Sequence, residues 1–295
     1  ADDPYGSNSL PGRVLERVSF RGKNSKSGRP FDGANAANSE TGTLGLSATP
    51  ERDYDDNFYV IIKKILGDII FEYDYIDARD DEVIVNFSLL YAYAPLLKEE
   101  EKKYENFSKS IRRRAATIGG HNMDDYPLKM HVFNRARLIK NSKNRIPYGV
   151  DLIQKYKRES WIVFTENKKQ AKEFNKIINT KGFKSALYNT DLDSTERLEN
   201  LNKFKKADLN VLVTCTALDE GFDMPEADGA LILSASSSKR QRVQRMGRVL
   251  RITENKPNAL IVTVYSSKTE FDKLMEEAKR YHKEGVPVSW KRQDR

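Results

Sequence analysis

The sequence is poor in the residues that build cross-links and metal sites: in 295 residues there is one cysteine, Cys215, and there are three scattered histidines. One thiol cannot close a disulfide within the chain, and so small a stock of sulfur and imidazole ligands excludes a structural zinc site. Cys215 stands inside an apolar run, where a small core residue is expected rather than a nucleophile. No apolar stretch approaches the length that crosses a bilayer, and the N-terminal residues are polar with no signal-like apolar core. These absences fit a reducing cytoplasm and no membrane partner. The sequence opens at Ala1 rather than at a methionine, as one beginning inside a longer protein would.

What is present is the composition of a soluble enzyme. An apolar fraction of 38% can build a core, a charged fraction of 32% is ordinary, and the length has room for one large domain or two modest ones. Lys and Arg number 51 against 43 Asp and Glu, and the resulting charge of +8 favours an anionic partner, nucleic acid first.

The stretch from Asn210 to Arg251 organises the rest. Val211, Leu212 and Val213 read as a buried strand. An acid-and-glycine loop follows at Asp219, Glu220, Gly221 and Asp223, then a second strand from Ala230 to Leu233 and a basic helix. Short apolar runs joined in this way are the pattern of a parallel sheet covered on both faces. Gln244, Arg248 and Arg251 are spaced four and then three, so they project from one helix face beside Gly247. Guanidinium forks match phosphate oxygens bidentately and stay charged at any working pH, so this face suits a polyphosphate. An R-x-x-R pair alone reads as a solvated basic helix. The loop tips the balance, because open parallel sheets take ligands at the carboxyl ends of their strands and a glycine there admits close approach.

Residues 151–282 repeat strand and helix. Trp161–Thr165 is a strand. Lys168–Thr180 is a helix with Ala171, Phe174 and Ile178 inward and Gly182 as its stop. Ala186–Tyr188 begins a strand, and Asp193–Glu196 (D-S-T-E) is a capping box opening a helix that reaches Phe204. A strand at Leu260–Tyr265 and a helix at Thr269–Tyr281 complete the series. This alternation demands an α/β fold, a parallel sheet with helices on both faces.

Upstream, residues 97–150 read as a helical arm, with Pro95 as start signal, Glu99–Glu101 in the first turn and Arg112–Arg114 near the end. Tyr104, Phe107 and Ile111 form a stripe that packs. Thirteen Lys and Arg against six Asp and Glu make this arm equally a phosphate track or a solvated basic face. Phe58–Leu66 has a helical pattern, and Ile69–Tyr75 and Val83–Tyr93 read as strands. Residues 21–43 are a Gly, Ser and Asn loop, and Leu44–Pro50 is a short strand whose Ser47 and Thr49 also suit local backbone capping. In the basic tail, residues 283–295, Trp290 either stacks on a base or covers the domain edge, and the edge is favoured.

In order and spacing these segments resemble the C-terminal motor half of superfamily 2 helicases of the DEAD/DEAH type, in the branch of XPB-like helicases and restriction-enzyme motors. Leu44–Pro50 (L-G-L-S-A-T-P) looks like motif III, Trp161–Thr165 (W-I-V-F-T) like motif IV, Thr214–Pro225 like motif V, and Gln244–Arg251 (Q-R-M-G-R-V-L-R) like motif VI. The resemblance implies a RecA-like domain over 81–282 with the arm at 97–150 inserted, and residues 1–80 as the end of a preceding RecA-like domain. It implies ATP in a cleft between two such lobes, with Mg held mainly by first-domain motifs. Arg251 would be the arginine finger, Arg248 its neighbour on the γ-phosphate, and Gln244 would set the helix at the interface. Gly221 and Asp223 would lie near the ribose, with Glu220 pairing cleft arginines. Thr165, Asn167, Thr190, Thr214 and Thr216 would hold the sugar-phosphate chain of a single strand, and Ser47 and Thr49 would couple the two sites. The implied partners are nucleic acid, DNA ahead of RNA, a first motor domain in the same or another chain, and further subunits of a repair, restriction or defence complex.

Two departures stand out. There is no G-x-x-x-x-G-K-[ST] and no complete D-E-x-D/H, so this stretch alone is not expected to bind ATP tightly or hydrolyse it; Ala1-Asp2 matches the last two letters of a D-E-A-D sequence. Asn189-Thr190 stands where many relatives carry a glycine. Two functions remain open: the C-terminal motor portion of an ATP-dependent helicase or translocase, or a catalytically inactive helicase-like module that binds nucleic acid or protein. Two arginines placed for a γ-phosphate favour the motor.

Overall fold

A computed structural model of the chain describes residues 61, 63–215, 226–234, 249–250 and 258–293. The chain divides into two compact units, residues 1–74 and 75–295. Of the first, the described part is a single helical turn, Lys63–Leu66 (α1), ended by Gly67 at φ +90°, with Lys63 paired to Asp68 at 2.7 Å. Residues 69–75 do not form the expected strand. Ile69, Ile70 and Phe71 expose about half their surface (48, 54 and 54%), and Tyr75 already begins a helix. Their β-branched and aromatic content raises strand propensity, but a strand needs a ladder partner, and none is present among the described residues.

The second unit starts with Tyr75–Asp80 (α2) and Asn86–Tyr93 (β1), continues through Lys98–Thr117 (α3), Tyr126–Lys140 (α4) and Arg145–Lys155 (α5), and enters the alternating series. That series is Trp161–Thr165 (β2), Lys168–Thr180 (α6), Ser185–Tyr188 (β3), Ser194–Lys205 (α7), Val211–Cys215 (β4) and Gly229–Ile232 (β5). Asn258–Tyr265 (β6), Lys268–Lys283 (α8) and Val288–Arg292 (β7) close it. The strands form one seven-stranded sheet in the order β3-β4-β2-β5-β6-β1-β7, every pair parallel. All residues of β2, β4 and β5 are buried, as unbroken apolar runs require when both faces are covered. On one face Leu201 and Phe204 of α7 pack with Leu274, Ala278 and Tyr281 of α8; on the other, Ile146, Leu152 and Ile153 of α5 pack with Ala171, Phe174 and Ile178 of α6.

Local signals place the helices. Asn167, Asp193 and Ser267 cap α6, α7 and α8, each side chain accepting a hydrogen bond from the backbone three residues on, and Gly182 at φ +86° ends α6.

Two segments differ from expectation. Residues 97–150 are not one arm: α3 and α4 pack on each other, whereas α5 is a core helix. Seven α5 residues are buried, and a Cβ on Gly149 would come within 2.6 Å of Leu233, so only glycine lets this helix approach β5 so closely. The basic end of the chain is also more than a tail, since Val288–Arg292 adds a strand alongside β1. Trp290 there packs 4.7 Å from Tyr91 and 5.0 Å from Phe271, so its ring covers the sheet edge. Cys215 is a buried core thiol.

The tightest contact in the core yields a test. A Cβ on Gly229 would lie 2.6–2.8 Å from three ring atoms of Trp161, which is fully buried and has no alternative space. Gly229→Ala is expected to destabilise the protein by about 1–3 kcal/mol in denaturant titration, through overpacking alone.

Candidate functional site at the carboxyl edge of the sheet

β2 has β4 paired on one side and β5 on the other, so the carboxyl ends of these three strands lie side by side, at the edge where open parallel sheets take ligands. Thr165, Asn167 and Thr214 come together there. Thr165 Oγ1 donates to the Thr214 carbonyl at 2.9 Å and lies 3.2 Å from the Asn167 carbonyl, while Thr214 Oγ1 donates to the Cys215 carbonyl at 3.1 Å. Both hydroxyls are buried and give their protons to main-chain carbonyls, which fixes the strand ends. Asn167 is half-buried and caps α6, and Thr190, just past β3, is exposed. Between them Asn189 is fully buried. Its Oδ1 accepts from Asp191 N at 3.0 Å, and its Nδ2 has no partner among the described residues.

Charge at this edge comes from residues that sequence reasoning passed over. Lys168 and Lys172, one turn apart on α6, both reach Asp191, Lys172 at 2.9 Å. The hydrogen bonds from Lys168 and then Lys172 hold the Asp191 carboxyl below the usual carboxylate range. Their i, i+4 spacing was visible in K-K-Q-A-K; the carboxylate facing them was not.

A second constellation was wholly unanticipated. Arg145 has no exposed surface. Its Nε donates to the Ile139 carbonyl (3.0 Å) and Ser142 Oγ (3.1 Å), Nη1 to the carbonyls of Leu233 (2.7 Å) and Val264 (2.6 Å), and Nη2 to both Glu270 oxygens (2.7 Å each). Glu270 also accepts from Ser266 N at 2.8 Å and Ser267 Oγ at 3.2 Å. The pair therefore clamps the carboxyl ends of β5 and β6 to the starts of α5 and α8. Ser267-x-x-Glu270 has the capping-box spacing, the one local sign of half of this site.

Of the remaining candidates, Gly221, Glu220, Asp223, Thr216, Gln244, Arg248 and Arg251, with Ser47 and Thr49, lie outside the described residues. Described residues flank the stretch that contains Gln244 and Arg248 in sequence. Leu233, just after β5, is gripped by Arg145, and Val249 and Leu250 are fully buried, with the Leu250 carbonyl accepting from Val85 N at 2.9 Å.

Residues 144–253 match the family model for the helicase conserved C-terminal domain. DNA 3'-5' translocase XPB2 of Sulfurisphaera tokodaii is 29% identical over 242 residues, 77% of this chain and 53% of that protein. Residues 144–253 thus carry a superfamily 2 helicase C-terminal domain. The ATP-dependent RNA helicase DBP3 of Ajellomyces capsulatus is 28% identical to this chain over 166 residues, 54% of this chain and 32% of that one. The solved C-terminal domain of the DEAD-box protein Dbp5 aligns with 52% of this chain and 85% of its own at 19% identity, with a TM-score of 0.45. The chain thus spans about half the length of one curated relative and a third of the other.

The helicase family uses ATP and Mg. Among the described residues no group of three His, Cys, Asp or Glu is placed to hold a metal, and the described edge carries the Lys168 and Lys172 ammonium groups and the Asn189 amide instead. Such donors suit phosphate oxygens rather than a cation.

Two measurements probe this edge of the helicase domain. Arg145→Met leaves Glu270 charged and buried without its fork, and is expected to cost about 3–5 kcal/mol. Adding Glu270→Leu should return a large part of that loss in a double-mutant cycle. For Asp191, whose folded carboxyl titrates low, the stabilisation is present above the unfolded carboxylate pKa and is lost as pH falls through the folded one. Its side-chain carboxyl NMR midpoint should therefore lie below that of an exposed aspartate and rise in Lys168→Ala.

Proposed function

We propose that this chain is the C-terminal motor portion of an ATP-dependent helicase or translocase that acts on DNA. The observation that carries the reading is the match of residues 144–253 to the helicase conserved C-terminal domain, within which Arg248 and Arg251 fall, with Val249 and Leu250 between them in sequence fully buried. A group acting by pre-positioned charge needs firm neighbours, and the two buried residues between the arginines in sequence suit that need. In this reading Arg251 is the arginine finger and Arg248 stands beside it on the γ-phosphate of ATP bound by the first motor lobe, with Gln244 setting the helix. As the phosphoryl group departs, charge spreads over its equatorial oxygens, and the two guanidiniums stabilise it without reorganising. Gly221 and Asp223 sit near the ribose, and Glu220 pairs with the cleft arginines.

The single strand runs along the carboxyl edge. Asn167, Thr190 and Thr216, with Lys168 and Lys172, hold the sugar-phosphate chain, while Thr165 and Thr214 keep the strand ends in register beneath it. Ser47 and Thr49 couple the strand to the nucleotide. DNA is favoured over RNA because the likeness to the DNA translocase extends over 77% of this chain, against 54% for the RNA helicase.

In the full-length protein, Arg251→Ala should lower nucleic-acid-stimulated ATP hydrolysis by about a thousandfold or more while single-stranded DNA binding stays within about twofold of the parent. Unchanged turnover would remove the finger assignment. A full-length protein with no stimulated hydrolysis at all would instead favour an inactive helicase-like module that binds nucleic acid or protein.

A further inference from the structure

The two-helix arm, α3 and α4, ends at Lys140, before the residues that match the helicase family begin at 144. Its inner face is filled. Ile111, Ala115 and Leu128 are buried with Ile118 and Val132 against them, and Arg114 holds Asp125 through bonds of 3.0 and 2.6 Å. Asp125 in turn caps α4 by accepting from Leu128 N at 2.9 Å, so the hairpin is braced at its turn. The base of the arm is tied to the sheet edge by Lys140 to Glu166 at 2.7 Å, and Lys143 N donates to Glu100 at 3.0 Å, which joins α3 to the turn before α5.

The outer face of α4 is a different surface. Tyr126, Met130 and Phe133 are spaced four and then three, so they line one side of the helix, opposite Leu128, Val132 and Ile139. They are 70, 37 and 51% exposed, and Met123, just before the helix, is 44% exposed. Isolated exposed apolar side chains are ordinary, but a continuous stripe on a braced helix marks an interaction surface. Two cations accompany it: Lys129, whose Nζ lies 5.9 Å over the Phe133 ring, and exposed Arg137, one turn beyond Phe133.

Charge selects the occupant. From Lys98 to Lys140 the arm has eleven Lys and Arg against six Asp and Glu. A second copy would set this excess against itself, whereas an acidic partner is drawn to it. Nucleic acid is also anionic, yet the stripe suits it poorly. A track for bases needs successive open rings, but Phe133 has Lys129 over one of its faces and Met130 has no ring, which leaves exposed Tyr126 as a single platform. Apolar anchors at i, i+4 and i+7 flanked by cations are instead the complement of an amphipathic acidic helix. We propose that the outer face of α4 docks such a helix from a partner protein, with Tyr126, Met130 and Phe133 as anchors and Lys129 and Arg137 as charge contacts.

The test uses the full chain and three probes: a synthetic helix with leucines along one stripe and glutamates elsewhere, a scrambled peptide of the same composition, and a single-stranded oligothymidine. The patterned helix should bind, the scrambled peptide should not, and Phe133→Ala and Met130→Ala should each weaken binding by about tenfold. Thermal melts should be unchanged, because the substituted side chains are exposed, and oligothymidine affinity should be the same in parent and variants. The proposal is overturned if the two peptides bind alike or neither binds, or if Phe133→Ala leaves peptide affinity unchanged. Loss of oligothymidine binding in that variant would assign the stripe to nucleic acid, and a concentration-dependent dimer dispersed by Phe133→Glu would assign it to a second copy; either result also overturns the proposal.

Discussion

A guanidinium with no exposed surface governs the working edge of this molecule. Arg145 spends its donors on two strand-end carbonyls, a helix-end carbonyl, a serine and the two oxygens of Glu270. Desolvating such a pair is expensive, so its net contribution to stability is modest even with every donor satisfied. Its effect is positional. Strands β5 and β6 end where Arg145 meets them, and the segment leading to the candidate arginines leaves the sheet from that point. A looser anchor would let the strand end shift, and positional error is costly wherever preorganised charge acts on a ligand.

The same edge connects the sheet to the arm. Lys140 pairs with Glu166 just after β2, Asn141 bonds Asn167, and Gln170 of α6 reaches the Lys140 carbonyl at 3.3 Å. Asn167 is therefore at once the cap of α6, a candidate strand contact and a tether of the arm. Arm and sheet edge thus share a hydrogen-bonded seam. The arm also holds much of the chain's basic excess, which separates a cationic, apolar-striped surface from the compact sheet.

Much of the helicase fold was legible. β2 and α6 span the residues that the apolar run of Trp161–Thr165 and the stripe of Ala171, Phe174 and Ile178 pointed to, because burial of a central strand and of one helix face leaves a direct period in sequence. Asp193 caps α7 as its D-S-T-E spacing implied. Failures occurred where local chemistry and pairing part company. Ile69–Tyr75 has strand-forming residues and no partner, while Val288–Arg292 looks like basic tail and becomes a strand because β1 has an open side next to it. α5 was read as part of the arm at 97–150, although its apolar run of Ile146, Tyr148, Val150, Leu152 and Ile153, with Gly149 among them, is that of a core helix.

Of the candidate site, the chemistry is a proposal; the sequence by itself supplied the residue types and spacings it is read from, a glutamine and two arginines spaced four and then three after an acid-and-glycine stretch and hydroxyl residues at strand ends, because these are local properties. It also determined that the sheet would be parallel, since alternating strands and helices admit little else. Only the tertiary structure decided the strand order, the burial of Arg145 against Glu270 and the meeting of Lys168 and Lys172 with Asp191. Arg145 and Glu270 are 125 positions apart, and Lys168 and Asp191 are 23. No short-range pattern encodes such pairings, because they exist only once the crossovers have brought separate helices and strand ends to one edge.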